Sequence, residues 1–264
     1  MDKLVVVRDI FSAFVENCKL WYSMEKNVKI DEMLPGFRNK CEFRQYIPSE
    51  PSKHGMQIFA VVDWKAFYTG NHKIYAGTQP EGPYLISSEP ADIINRLAEP
   101  IYSSGHNITA DNWFTGINLI SNLKKKWLSY VGTVCKNKPQ LPPEFVSSKN
   151  GPEKSSLFPF GADSTLVSHI HKKEKKNVVL VSSMHFNDAI NLESQKPDIT
   201  DYYNQMKSGV DTVDRMTGTG NVARSTRRGP MAYIPHNFDY CSSKYSDYSH
   251  AEQTQSTEHL LEIL

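Results

Sequence analysis

Apolar positions recur along this chain with two periods, and the alternation between them predicts the order of its elements. Over residues 3 to 20, Val6, Ile10, Phe11, Phe14 and Val15 fall near a helical period, which predicts an amphipathic helix. Val28 and Ile30 then alternate with Lys29 and Asp31 as in a short strand, and Met56 to Val62 with Ala66 to Ala76 read as two more strands joined around Asp63 to Lys65. Pro90 to Ile101 carries Ile93, Ile94 and Leu97 at helical spacing, and Asn107 to Asp111 is a short strand. Phe114 to Trp127, with Ile117, Leu119, Ile120 and Leu123, predicts a helix, and Leu128 to Cys135 returns as a strand.

Residues 137 to 197 interrupt this alternation with Pro139, Pro142, Pro143, Pro152 and Pro159 and with strand-like runs at Leu157 to Phe160, Thr165 to His169 and Val178 to Ser182, so they read as a strand-rich insertion. From Ile199 the apolar positions Tyr203, Met206, Val210 and Val213 step by three and four, predicting one helix over roughly 199 to 216. The expected organisation is therefore an N-terminal helix (1–24), the first part of an α/β core (25–136), the insertion (137–197), an acid-bearing helix with a basic segment (198–238) and a polar tail (239–264). In that tail, Tyr240 to Tyr248 lacks the apolar content that would order it.

Composition narrows the function classes. A chain of 264 residues, 39% hydrophobic and 22% charged, can bury a full core. Its 30 Lys and Arg against 29 Asp and Glu give a formal charge of +1, so any affinity for nucleic acid has to come from local patches. Cys18, Cys41, Cys135 and Cys241 are too scattered for a zinc finger or a disulfide framework, which fits a reducing compartment. No apolar run approaches a membrane span and the start has no signal-peptide pattern, so a soluble protein without a membrane partner is expected.

Candidate chemistry centres on Ser208-Gly209-Val210-Asp211-Thr212-Val213-Asp214-Arg215-Met216, followed by Arg224-Ser225-Thr226-Arg227-Arg228-Gly229-Pro230-Met231. Asp211 and Asp214 stand three apart and share a helix face, where they can either aim at one cation or simply be solvated. Three further stretches stand in order before them: Ile30-Asp31-Glu32-Met33-Leu34 with Cys41-Glu42-Phe43-Arg44-Gln45-Tyr46-Ile47-Pro48, Asn107-Ile108-Thr109-Ala110-Asp111-Asn112-Trp113-Phe114-Thr115, and Tyr130-Val131-Gly132-Thr133-Val134 with Asn137-Lys138. Together these resemble the catalytic region of the piggyBac family of transposases and the proteins derived from them, from about residue 2 to about residue 238.

That resemblance implies a ribonuclease-H-like core, a mixed sheet flanked by helices, and the element order above is the one such a core shows. It further implies that Asp31, Asp111, Asp211 and Asp214 are the catalytic acids and hold two Mg2+ or Mn2+ ions, with double-stranded DNA as partner, a nuclear location and a homodimer in the complete protein. Hard carboxylate oxygens suit those ions, and two of them can activate an attacking hydroxyl while stabilising the departing oxygen. The bland readings stay beside it: Asp31 as a solvated strand residue, Asp111 as a helix N-cap, and Asp63 as a turn former.

Arg224, Arg227 and Arg228 are candidate phosphate contacts, whereas Lys172, Lys173, Lys175 and Lys176 are either a solvated turn or a phosphate contact. Lys124 to Lys126 read as a helix C-terminal turn, and Trp113 and Phe114 read as core rather than a base-stacking platform. The chain departs from the family pattern at Gly229, where a tryptophan is usual, near Gly220, where a tyrosine is usual, and at Glu42, where a proline is usual. It is also expected to lack the family's N-terminal DNA-binding region and its C-terminal Cys/His finger. Two functions are therefore open: a metal-dependent transposase core that is truncated or domesticated, and a catalytically inactive DNA- or protein-binding module.

Overall fold

A computed structural model describes residues 2–36, 42–48, 52–146, 154–170 and 177–219. Lys172, Lys173, Lys175, Lys176, Arg224, Arg227, Arg228, Gly220, Gly229 and the expected polar tail lie outside these residues. Helix α1 (Arg8–Trp21) leads into β1 (Asn27–Met33); a small hairpin of β2 (Arg44–Tyr46) and β3 (His54–Met56) precedes β4 (Ile58–Asp63) and β5 (Thr69–Ile74). Then come α2 (Pro90–Ala98), β6 (Asn107–Ala110), α3 (Ile117–Lys125), β7 (Ser129–Thr133) and the short α4 (Pro143–Val146). Strands β8 (Ser156–Leu157), β9 (Thr165–Ile170) and β10 (Asn177–Ser182) precede α5 (Asp198–Met206) and α6 (Gly209–Thr219). Among the described residues no helix is long and apolar enough to cross a membrane.

The main sheet has eight strands in the order β5-β4-β1-β6-β7-β10-β9-β8. Its first five form an antiparallel meander of β1, β4 and β5 extended by β6 and β7, each parallel to the strand before it in the sheet. This is the ribonuclease-H-like arrangement expected from the element order. The strand-rich stretch after residue 137 continues the same sheet, because β10 pairs antiparallel with β7 and carries β9 and β8 on its far side.

Strand alternation divides the side chains between two faces. On one face Val28 and Ile30 of β1, Phe59 and Val61 of β4, Ile108 and Ala110 of β6 and Tyr130 of β7 pack against Ile93, Ile94 and Leu97 of α2 and Leu119, Ile120 and Leu123 of α3. Burying each such Ile or Leu contributes about 1.5–3 kcal/mol, so this layer is the main stabilising core. The opposite face carries Met33, Ala60 and Val62 against Val210 and Val213 of α6, and Val131, Val167 and Leu180 against Ile199 of α5.

The periodicity from 199 to 216 is one stripe on two helices. The helix breaks at Lys207-Ser208, and the Ser208 carbonyl accepts from the Thr212 N–H at 2.9 Å to start α6. Serine favours such helix starts, and the glycine after it lets α6 lie close on the sheet: a Cβ at Gly209 would stand 3.1 Å from Lys29 Cβ.

Candidate active site

Parallel pairing of β1 with β6 sets Asn27 beside Asn107, Val28 beside Ile108 and Lys29 beside Thr109. Asp31 lies two residues beyond the last pair of this register on β1 and Asp111 directly follows β6, and by strand alternation both belong to the face that carries Lys29 and Thr109. A polar tie fixes the register. Asn107 Nδ2 donates to the Tyr202 hydroxyl at 2.8 Å, that hydroxyl donates to Asn27 Oδ1 at 2.9 Å, and Ser129 Oγ donates to Asn107 Oδ1 at 3.0 Å, joining β1, β6, β7 and α5. Burial, only partly offset by the bond from Asn107, pushes the Tyr202 hydroxyl up to about 12, so it stays a neutral link at physiological pH.

Each acid is held differently. Asp31 Oδ1 accepts from the Glu32 N–H at 3.0 Å, and Oδ2 is ion-paired with Lys29 Nζ at 2.5 Å. Asp111 Oδ1 accepts from the Trp113 N–H at 2.9 Å, so this acid shapes the turn after β6 rather than capping α3, which begins at Ile117. Thr115 Oγ1 donates to the Asp111 carbonyl at 2.8 Å and lies 2.8 Å from the buried Tyr130 hydroxyl, bracing that turn from below.

Burial dominates the electrostatics of the site. Burial, and next the charge of Asp31, raise the Asp111 carboxyl above its usual range against the bonds from Trp113 and Phe114 and the charge of Lys29. Glu32 is pushed up to about 8, first by burial and then by Asp31 and Asp111, and its Oε2 is buried without a hydrogen-bond partner. Asp63 behaves in the opposite way. Burial opposes its ionisation, yet the N–H groups of Glu25 and Ala66, the Tyr22 hydroxyl and the Lys65 N–H hold its carboxyl below the ordinary value. It is the turn former that its position suggested.

Helix α6 brings Asp211 and Asp214 to the same side of the sheet, since Val210 and Val213 pack on Met33, Ala60 and Val62. Asp211 is exposed and Asp214 half-buried. Among the described residues no group of three or more His, Cys, Asp and Glu side chains is close enough to hold a metal ion. The acids thus stand as a neighbouring strand pair and a helix pair on one face. Phe114 is buried as expected, but Trp113 is 45% exposed and stacks on Phe59 at 5.6 Å, because the Asp111 turn directs it out of the core. Lys124 and Lys125 do end α3, and Lys124 pairs with Asp163.

Lys29 is the residue of this site that its strand pattern hides. It is 1% exposed, although the alternation sets it off the face of Val28 and Ile30. The signal was its two-residue spacing from Asp31, which puts both side chains on one face.

The fold defines a DDE transposase domain on a ribonuclease-H-like sheet. Residues 1–234 match the family described as Transposase IS4, and the chain belongs to that family. Among solved structures it is similar to the piggyBac transposase determined by cryo-EM as a synaptic complex with hairpin DNA, with 38% identity and a TM-score of 0.83. The match covers 92% of this chain and 51% of that one, so the chain spans about half the length of the transposase it resembles.

Proposed function

We propose that this domain cleaves and joins strands of double-stranded DNA with the help of two divalent cations, Mg2+ or Mn2+, as the core of a transposase or of a protein domesticated from one. The observation that supports this reading is the placement of Asp31 on β1 and Asp111 just after the adjacent parallel strand β6, with the helix bearing Asp211 and Asp214 laid over the same face. Two carboxylates about 4 Å apart repel by roughly 4 kcal/mol at an effective dielectric near 20. Burial first and the neighbouring carboxylates second raise the Asp111 and Glu32 carboxyls, and an all-oxygen donor set fits a hard cation.

In this reading Asp31 and Asp111 would hold the ions from the sheet, and Asp211 and Asp214 would complete the set from α6. The ions, when bound, supply a lowered pKa for the attacking hydroxyl and charge stabilisation for the departing oxygen. The chain's own residues do the positioning: the Asn27–Tyr202–Asn107 tie fixes the strand register, and the Asp111 turn fixes that carboxyl through the Trp113 N–H. Arg224, Arg227 and Arg228 are proposed contacts to the phosphates flanking the cleaved bond, and Lys172, Lys173, Lys175 and Lys176 are proposed as further phosphate contacts. Dimerisation and a nuclear location are proposed for the complete protein on the same resemblance.

The rival reading is a catalytically inactive DNA- or protein-binding module, favoured by the exposure of Asp211 and by the Lys29–Asp31 ion pair already in place. Nicking of a supercoiled duplex in Mg2+ or Mn2+, by wild type and by Asp111→Asn, separates the two. Cleavage by wild type alone supports the catalytic reading; equal absence of cleavage in both leaves the binding module.

A further inference from the structure

The observation that no acid-centred reading uses is the ammonium of Lys29. It lies 2.5 Å from Asp31 Oδ2, on a side chain 1% exposed, beneath the start of α6 where a Cβ at Gly209 would come within 3.1 Å of Lys29 Cβ. So deep a lysine has no route to a DNA phosphate, which excludes the ordinary role of a cation near a nucleic-acid site. Its charge acts instead on the groups around it, Asp111 and Tyr203 as well as Asp31. Burying an ammonium is costly unless it is paired, and breaking such a pair by removing one partner is strongly unfavourable.

We propose that Lys29 is the built-in counterion of the Asp31–Asp111 pair, holding the two carboxylates together before a divalent cation arrives and opposing that cation's uptake. The inference rests on the proposed metal site, and it makes a lysine of this chain the residue that sets metal affinity. Two consequences follow from charge alone. Without metal, loss of the ammonium leaves two half-buried carboxylates on one face uncompensated. With metal, it removes a positive charge beside the site and frees Asp31 Oδ2.

The test compares the whole chain as wild type, Lys29→Met, Lys29→Gln and Asp111→Asn by calorimetric titration with Mn2+ and by thermal unfolding. Methionine keeps the length of the lysine stem, and glutamine serves if the methionine variant does not fold. Binding of Mn2+ by Lys29→Met should be roughly ten-fold tighter than by wild type, because a cation a few Å away no longer repels it. In metal-free buffer the same variant should melt lower than wild type, and either Mn2+ or Asp31→Asn in the same chain should restore it. Wild type binding Mn2+ as tightly as both Lys29 variants would overturn the inference while leaving the metal site intact. Failure of every protein to take up Mn2+ would overturn the metal site and the opposing role of Lys29. The metal-free melting cycle between Lys29 and Asp31 then decides the counterion role by itself, and additive melting shifts overturn it.

Discussion

The two faces of the central sheet are built for different tasks from the same strands. On the face covered by α2 and α3, Val28, Ile30, Val61, Ile108 and Ala110 are packed to dryness with no charge among them. On the other face the same strands present Lys29, Asp31, Asn107, Thr109 and Asp111 beneath α5 and α6, and several of these are fully buried. A dry face gains stability from area alone, whereas the polar face gives part of it up to hold like charges together. One residue along β1 or β6 separates the two regimes, so a one-residue slip of either strand would exchange them.

That contrast is open to attack from both sides. Asp111→Asn should lower metal-dependent DNA nicking by about 10³-fold, since metal-held charge stabilisation is worth several kcal/mol and each 1.36 kcal/mol is a factor of ten. It should also leave the metal-free protein as stable as wild type or more so, because it removes half of a repulsive pair. A fall in melting temperature with nicking unchanged would mean that the polar face is purely structural.

On the dry face, Leu97→Ala should cost about 2–4 kcal/mol in urea unfolding through the cavity it leaves, with Mn2+ affinity of the folded protein unchanged. Coupling between Leu97 and metal affinity would show that the faces are not independent. Asp63→Asn sharpens the comparison among acids. With four donors converging on Asp63, the amide should cost about 1–3 kcal/mol in unfolding and leave nicking intact, the reverse of the Asp111 result.

The smallest expected effect is in pH. The Asp63 carboxyl is held below its ordinary value of 3.8, so the unfolded chain binds its proton first. Its contribution to stability is full above that ordinary value and is lost as pH falls through the lowered folded value. Stability measured down the acid range should fall less steeply for Asp63→Asn than for wild type. Identical slopes would remove Asp63 from the acid transition.

Much of this was legible in the residues. Periodicity located α1, α2, α3, β1, β4 to β7 and the late strands β9 and β10, because burial on one face of each element leaves a trace with period 2 or 3.6. It could not separate α5 from α6, since one apolar stripe runs across the break at Ser208 and the turn there is decided by how closely Gly209 approaches Lys29. The juxtaposition of Asp31 with Asp111 was inferable only through the fold, 80 positions apart along the chain as their numbers stand. Trp113 was placed in the core on its type, whereas the turn closed by Asp111 lifts it onto Phe59.

What the sequence determined by itself was most of the helices and strands of the main sheet, because helix and strand periods are local properties, while the candidate acids came from the resemblance of their motifs to a family. Which acids meet, which lysine is sealed beneath them and which aromatic emerges were decided by tertiary structure. Those outcomes depend on strand register and on the seating of one helix over a parallel pair, and both are set by contacts between residues that the chain keeps far apart.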